Sequence, residues 1–424
     1  MISWKRVRLG ELIQVRHGFA FRGEYFSDHG KYIVLTPGNF FDEGGFKPKS
    51  GVEKFYAAPP PNEHILRRGD LVVAMTEQVE GLLGSSALIP VSDTYLHNQR
   101  IGLVVPLSDQ VDREFLYYLF NTKKVRDQIQ ATATGSKIRH TAPSRIEDVI
   151  VDFPPLSVQQ KLAAILSAYD DLIENNNRRI KLLEEMAQRI YREWFVDFRF
   201  PGHEVIPPIE SESGPIPDGW KVSPIGNVTT VMGGGTPSKT VPQFWEDGDI
   251  VWYTPSDLTA ADSMFMSSSK LKITEKGLAR SSARLFPAGS VMMTSRATIG
   301  VVSITAVPAA TNQGFITCPT SDLAGQYHLY FWLKQQKDVI ISLASGATFK
   351  EINKATFRQI AFLRATSNVE AAFEDLIEPF GKQIKGLLRA QQNLRLTRDL
   401  LLPRLISGEI DVTDLEIVVA ESAA

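Results

Sequence analysis

Apolar residues recur at Leu162, Leu166, Tyr169, Ile173, Asn176, Ile180, Leu183, Ala187, Ile190 and Trp194 in steps that alternate four and three, with two polar members. This spacing is a heptad seam, narrower than the apolar face of a helix resting on a globular core. No Gly or Pro falls between Ser157 and Pro201, and Arg178, Arg179, Glu184 and Glu185 flank the seam. The pattern therefore predicts one helix of about 50 Å, at 1.5 Å per residue. A helix this long with a single apolar stripe needs a partner to cover it.

The same steps return at Phe373, Ile377, Phe380, Ile384, Leu387, Gln391, Leu394, Arg398, Leu401 and Leu405, each 211 residues after its counterpart. The polar members decide how the two segments lie. In a parallel pair Asn176 would face Leu387, Gln391 would face Ile180 and Arg398 would face Ala187, each a polar group stranded against an apolar one. In an antiparallel pair Asn176 meets Gln391, Tyr169 meets Arg398, and small Ala187 meets large Phe380. The prediction is an intramolecular antiparallel coiled coil whose register is set by Asn176, Gln391, Tyr169 and Arg398. The alternative is two helices buried separately in two globular cores. Pro379 lacks the amide that bonds back one turn and is expected to kink or start the second helix.

The segments before each seam also repeat. Residues 31–36, 70–75 and 100–105 are β-rich runs bounded by Gly and Pro, followed by a helical pattern over 115–130 and a break at Gly135. Residues 220–228 echo 4–12, 250–255 echo 32–37, and 285–294 echo 65–74. Asn98-Gln99 returns as Asn312-Gln313, and from Gly135 and Gly346 onward the offset is a constant 211. The expected fold class is α+β: two α/β domains related by pseudo-twofold symmetry, separated by an antiparallel coiled coil of two long helices. Its domains are residues 1–150, the first long helix 151–200, a Pro- and Ser-rich linker 201–215, the second domain 216–366, the second helix 367–411 and a disordered tail 412–424.

Composition narrows the class. At 424 residues, 43% hydrophobic and 22% charged, the chain reads as a soluble protein of two or three domains. No apolar run is long enough to span a bilayer and the first residues do not form a signal peptide, so a cytoplasmic protein with no membrane contact is expected. A single cysteine, Cys318, excludes an internal disulfide or a cysteine metal cluster. Net charge is −2, but residues 1–150 hold 19 Lys and Arg against 17 acids and residues 216–366 hold 14 against 10. The globular parts are mildly basic, a modest pointer to nucleic acid.

Enzymatic motifs fail on inspection. Gly233-Gly234-Gly235-Thr236-Pro237-Ser238-Lys239-Thr240 resembles a phosphate loop, yet Ser238 stands where a glycine is required and Pro237 removes a cradle amide. Asp152-Phe153-Pro154-Pro155 has the wrong order for an amino-methyltransferase motif. The seven histidines lack metal-ligand spacing, and no Ser, His and Asp set emerges. A non-catalytic recognition protein without a metal site is expected.

Several stretches then resemble one family. Ile216-Pro217-Asp218-Gly219-Trp220 opens the second domain; Gly135-Ser136-Lys137-Ile138 precedes Asp152-Phe153-Pro154-Pro155-Leu156; Gln159-Gln160 heads the first helix and Trp194-Phe195-Val196-Asp197-Phe198 ends it. With the closing run RDLLLPRLISGEI from Arg398 to Ile410, these are similar to the specificity subunit of type I restriction-modification systems, over almost the whole chain. The second copy departs from the pattern, having Ala365-Thr366 in place of Pro154-Pro155 and no paired Gln. The resemblance implies two target recognition domains, each reading half of an asymmetric bipartite site on double-stranded DNA. It implies docking of two methyltransferase (modification) subunits and of restriction/translocase subunits. S-adenosylmethionine, ATP and Mg would serve those partners, with no cofactor in this chain. The rival is a scaffold that does not bind DNA, two protein-binding modules on a coiled-coil rod.

Base readout uses side chains with paired donors and acceptors on loops that reach a groove. The first candidates are Lys137, Arg139 and His140 after Gly135, with Arg145 close behind, matched in the second copy by Thr348, Lys350 and Lys354. The second are Thr76, Glu77 and Gln78, against Ser295, Arg296 and Thr298, both sets following a β-rich run. Solvated turns would carry the same residue types. Asn98, Gln99, Asn312 and Gln313 are assigned to satisfying backbone groups within the fold.

Overall fold

Both seams fold as uninterrupted α-helices, Leu156–Phe195 and Ser367–Ile406, in the computed structural model, which describes residues 4–49, 51–78, 81–211, 214–346 and 350–417. None of the twenty seam positions is exposed, whereas the charged flanks Arg178, Arg179 and Glu185 are. Each fully buried leucine of the seam contributes roughly 1.5–3 kcal/mol through removal from water. Pro379 does not start the second helix: it lies within it, at an exposed position, and has no amide to donate one turn back. Nearby Gly381 is required by packing, because a Cβ there would overlap the Tyr327 hydroxyl.

The chain divides into two units, Met1–Glu174 with Gln392–Ala424, and Asn175–Gln391, so each long helix contributes to both. In the first unit, Leu162 and Leu166 share a core with Leu405 and Ile406, while Asp170 accepts from Arg398 at 2.5 Å. Positions rise along one helix as they fall along the other, so the pairing is antiparallel. Within the second unit the same sense holds: Asn177 meets Gln391 at 2.6 Å, and Trp194 and Tyr191 pack on Phe373. Two side-chain hydrogen bonds between the helices fall on residues next to predicted seam members. Gln391 Nε2 donates to Asn177 Oδ1, beside the buried Asn176, and Arg398 reaches Asp170, beside Tyr169. The flanking carboxylate at 170 attracts the guanidinium more strongly than a phenol can.

The two units share a topology. In the first, Ile13–His17, Ile101–Pro106, Leu71–Ala74 and Ser86–Leu88 form an antiparallel sheet in that order. In the second, Met232–Gly233, Phe315–Cys318, Val291–Thr294 and Val302–Thr305 repeat it, with Phe265–Met266 added parallel at the edge. Beside each sheet a parallel pair recurs, Tyr32–Val34 with Tyr95–Leu96 and Ile250–Tyr253 with Ala309–Thr311. Lys5–Arg8 pairs with Ile150–Phe153, and Lys221–Pro224 with Ala361–Arg364, each ladder leading directly into its long helix.

Each long helix also satisfies the first turn of a shorter one, although the two solutions differ. Buried Gln159 accepts from Asp112 N at 2.8 Å and donates to the Pro154 carbonyl at 2.8 Å, just ahead of helix Arg113–Phe120. Glu370, 211 residues on, accepts from Gly325 N at 2.9 Å and lies 2.7 Å from His328 Nδ1; Glu374 accepts from His328 N at 2.9 Å. Both side chains thus cap helix Gln326–Gln335 through their oxygens, replacing the paired Gln that the second copy lacks. At the other end of the chain, Val412 is buried and Lys161 Nζ donates to the Thr413 carbonyl at 2.6 Å, so the packed chain continues past 411. Residues 418–424 of the expected tail lie outside the described residues.

Burial, against the opposing pull of the His328 and Tyr327 amides, raises the Glu374 carboxyl to about 8 from an ordinary 4.5. A raised folded value means that the folded state holds its proton longer. The stability this supplies is complete below pH 4.5 and is lost as pH climbs through about 8. Glu374→Gln is expected to flatten that decline: in thermal unfolding from pH 5 to 9, the variant gains steadily on the parent protein.

Candidate nucleic-acid interface

In the first unit the strand Leu71–Ala74 runs on to Thr76–Glu77, which pairs antiparallel with Arg139–His140. Thr134 and His140 bridge through two backbone hydrogen bonds of 2.9 and 2.8 Å, closing a tight loop between them. Gly135 is at φ +104°, and a Cβ there would overlap the Ile138 carbonyl, so the turn needs glycine. Ser136, Lys137 and Ile138 are left exposed at its tip.

The sequence-predicted residues divide sharply here. Arg139 donates from Nη1 to Glu77 at 3.0 Å and from Nη2 to the Gln130 carbonyl at 2.7 Å. Glu77 is only 2% exposed, and its other oxygen accepts from Leu83 N at 2.8 Å. Thr76 is buried with its hydroxyl 3.1 Å from His140 Nδ1, and Arg145 donates to the Thr132 carbonyl at 2.6 Å, beyond helix Lys123–Ala131. Thr76, Glu77, Arg139 and Arg145 thus form the frame of the loop. Lys137, Gln78 and His140 are exposed on it.

The same place in the second unit has different chemistry. Arg296 bridges to Glu351, as Thr76 does to His140, and the guanidinium donates through Nε and Nη2 to Glu351 Oε2 at 3.0 and 2.8 Å. Ala297 is held at φ 61°, a region that costs a non-glycine residue of order 1–3 kcal/mol, and its N–H donates to the Lys350 carbonyl at 3.1 Å. Lys350 and Lys354 are exposed; Thr348 lies outside the described residues.

Arg296, Ala297, Thr298, Asn312 and Gln313 line an open cleft of about 210 Å³. The glycine-rich loop explains how its wall is built. A Cβ on Gly234 would overlap the Thr311 and Asn312 carbonyls, Gly235 N donates to the Thr311 carbonyl at 2.9 Å, and Thr236 donates to Gln313 Oε1 at 2.6 Å. The glycines serve close backbone approach. Gly18 meets the Asn98 carbonyl in the same way in the first unit. Sequence reasoning set Asn312 and Gln313 aside and did not single out Glu351. The signal was present in the Asn-Gln pair shared by both copies, but strand register was needed to join residues 55 apart.

Among the described residues, no group of three or more His, Cys, Asp or Glu side chains could hold a metal ion. No helix among them is long and apolar enough to cross a membrane.

Removing Arg139 takes the ion-pair partner from the buried Glu77 carboxylate, whereas removing Lys137 unpairs no buried group. Arg139→Ala is expected to cost about 1–3 kcal/mol of stability in denaturant unfolding. Lys137→Ala should change it by less than about 0.5 kcal/mol.

Comparison with known proteins adds a family to this geometry. The sequence model for the type I restriction modification DNA specificity domain matches residues 1–185 and again 217–362, once per repeat. The MjaIX specificity subunit of Methanocaldococcus jannaschii is 35% identical over 183 residues, 41% of this chain and 42% of that protein, so this match spans less than half of either. The HindI specificity subunit of Haemophilus influenzae is 25% identical over 381 residues, 75% of this chain and 82% of that protein. The crystal structure of the type I restriction-modification S subunit from M. genitalium shares the fold, with a TM-score of 0.57 at 14% identity over 95% of this chain and 96% of that one. Matched in both repeats and sharing a fold along nearly its whole length, the chain belongs to the family of type I restriction-modification specificity subunits.

Proposed function

We propose that this chain supplies the DNA address of a type I restriction-modification complex, each unit reading one half of a bipartite asymmetric target. One observation carries the reading: a single fold occurs twice, with different chemistry at the register-equivalent loops, Thr76 with His140 in one and Arg296 with Glu351 in the other. Two heads that read different half-sites need a constant backbone with side chains that differ at equivalent places. The exposed lysines Lys137, Lys350 and Lys354 suit phosphate contact.

In this reading the chain recognises and does not catalyse. Methyl transfer with S-adenosylmethionine, and ATP- and Mg-dependent translocation and cleavage, fall to the docked methyltransferase and restriction subunits. Two sets of exposed apolar residues off the seam suit such docking. Leu182 and Met186, four apart on the first long helix, are 59% and 50% exposed; Leu396 and Leu400, four apart on the second, are 56% and 71% exposed. Each pair presents one apolar face, and two such faces fit two copies of a partner.

Binding to duplex DNA should weaken steeply with salt. The Lys137→Ala, Lys350→Ala, Lys354→Ala triple variant should lower the slope of log affinity against log salt by about 0.9 for each phosphate that is no longer neutralised. No binding to duplex DNA even at low salt, where phosphate contacts are strongest, would favour the scaffold that does not bind DNA. For docking, Leu396→Glu with Leu400→Glu is expected to release one of two methyltransferase copies in native mass spectrometry, and adding Leu182→Glu with Met186→Glu the other. DNA binding by the free chain should be unchanged by these substitutions.

A further inference from the structure

A guanidinium has five N–H donors, and what remains after internal bonding decides whether it can read a base. Arg139 is anchored at both terminal nitrogens, to Glu77 and to the Gln130 carbonyl. Arg296 is anchored along one edge only: Nε and one hydrogen of Nη2 serve Glu351 Oε2. Among the described residues no further acceptor engages it, so both Nη1 hydrogens and the second Nη2 hydrogen remain. The Nη1 and Nη2 hydrogens at the end of the fork point the same way. Such a pair matches the O6 and N7 acceptors of guanine in the major groove.

The surroundings suit that use. The Arg296 side chain is 47% exposed and Glu351 37%, so the pair is held but reachable. Arg296 lines the cleft with Thr298 and with the Asn312 and Gln313 segment. The left-handed turn at Ala297 and its bond to the Lys350 carbonyl hold the backbone next to Arg296. A base-reading arginine loses less rotamer freedom on binding when a carboxylate already orients it.

We propose that Arg296 reads a guanine in the half-site of the second unit, and that Glu351 is its positioning residue. This rests on the DNA-reading function proposed above and deepens it. The register-equivalent Thr76 and His140 cannot make that bidentate contact, so the other half-site is read differently.

The test is selection of bound duplexes from a random library by the full-length chain, comparing the parent with R296A, R296K and E351Q, each checked by thermal unfolding. The parent should select a bipartite sequence. R296A and R296K should both lose roughly ten- to a hundredfold of the preference for guanine at one position of one half-site, leaving the other half-site intact. R296K keeps the charge without the fork, so it decides the question even if R296A does not fold. E351Q should keep guanine first but discriminate less, at nearly parental total affinity. A uniform loss of affinity with every base preference retained would make Arg296 a phosphate contact and overturn the inference. If the preference lost were for another base, the assignment to guanine would fall. A parent that selects no sequence would overturn the DNA-reading function, and this inference with it.

Discussion

Asp170 is the point at which this fold commits to one arrangement. Its carboxylate accepts from Tyr118 Oη at 2.7 Å through one oxygen and from Arg398 at 2.5 Å through the other, joining the globular part of the first unit to both long helices. An apolar heptad seam tolerates sliding by one repeat, because leucine packs against leucine in several registers. A half-buried ion pair does not, since any slip leaves a charge facing apolar neighbours. In the second unit the buried Gln391, bonded to Asn177, imposes the same condition with neutral groups.

Duplication left the frame and changed its polar fittings. Gln159 serves one helix start with an amide that both donates and accepts; Glu370 serves the equivalent start with a carboxylate that accepts only, and His328 stands against it. At the strand bridge beside each loop the exchange is Thr76 and His140 for Arg296 and Glu351. Backbone geometry is shared while side-chain chemistry diverges. A chain that must present two different surfaces on one architecture gains its freedom at these points.

The seam was legible because burial against one partner imposes a strict period, and every position it named is covered. Gln391 bonds to Asn177, beside Asn176, and Arg398 to Asp170, beside Tyr169, because heptad counting locates backbones, whereas Arg398 extends far enough to choose a carboxylate over the phenol beside it. Pro379 misled for a related reason: propensity describes an isolated helix, whereas here the residue lies at an exposed position of a helix held by its buried seam. The contrast between Arg139 and Arg296 could not be read from the sequence at all. It depends on acceptors supplied by Glu77 and Gln130 on one side and Glu351 on the other, brought together only by strand pairing.

The division of the chain has a consequence for its synthesis. Residues 175–391 are contiguous and can close their core as soon as they leave the ribosome, but residues 1–174 must wait for 392–417. Until that last segment emerges, Val158, Leu162 and Leu166 lack the cover of Leu405, Ile406 and Val412, with which they share a core. The first part made is therefore the last part finished, and it carries an unprotected apolar strip through most of translation, the condition under which nascent chains aggregate or recruit chaperones.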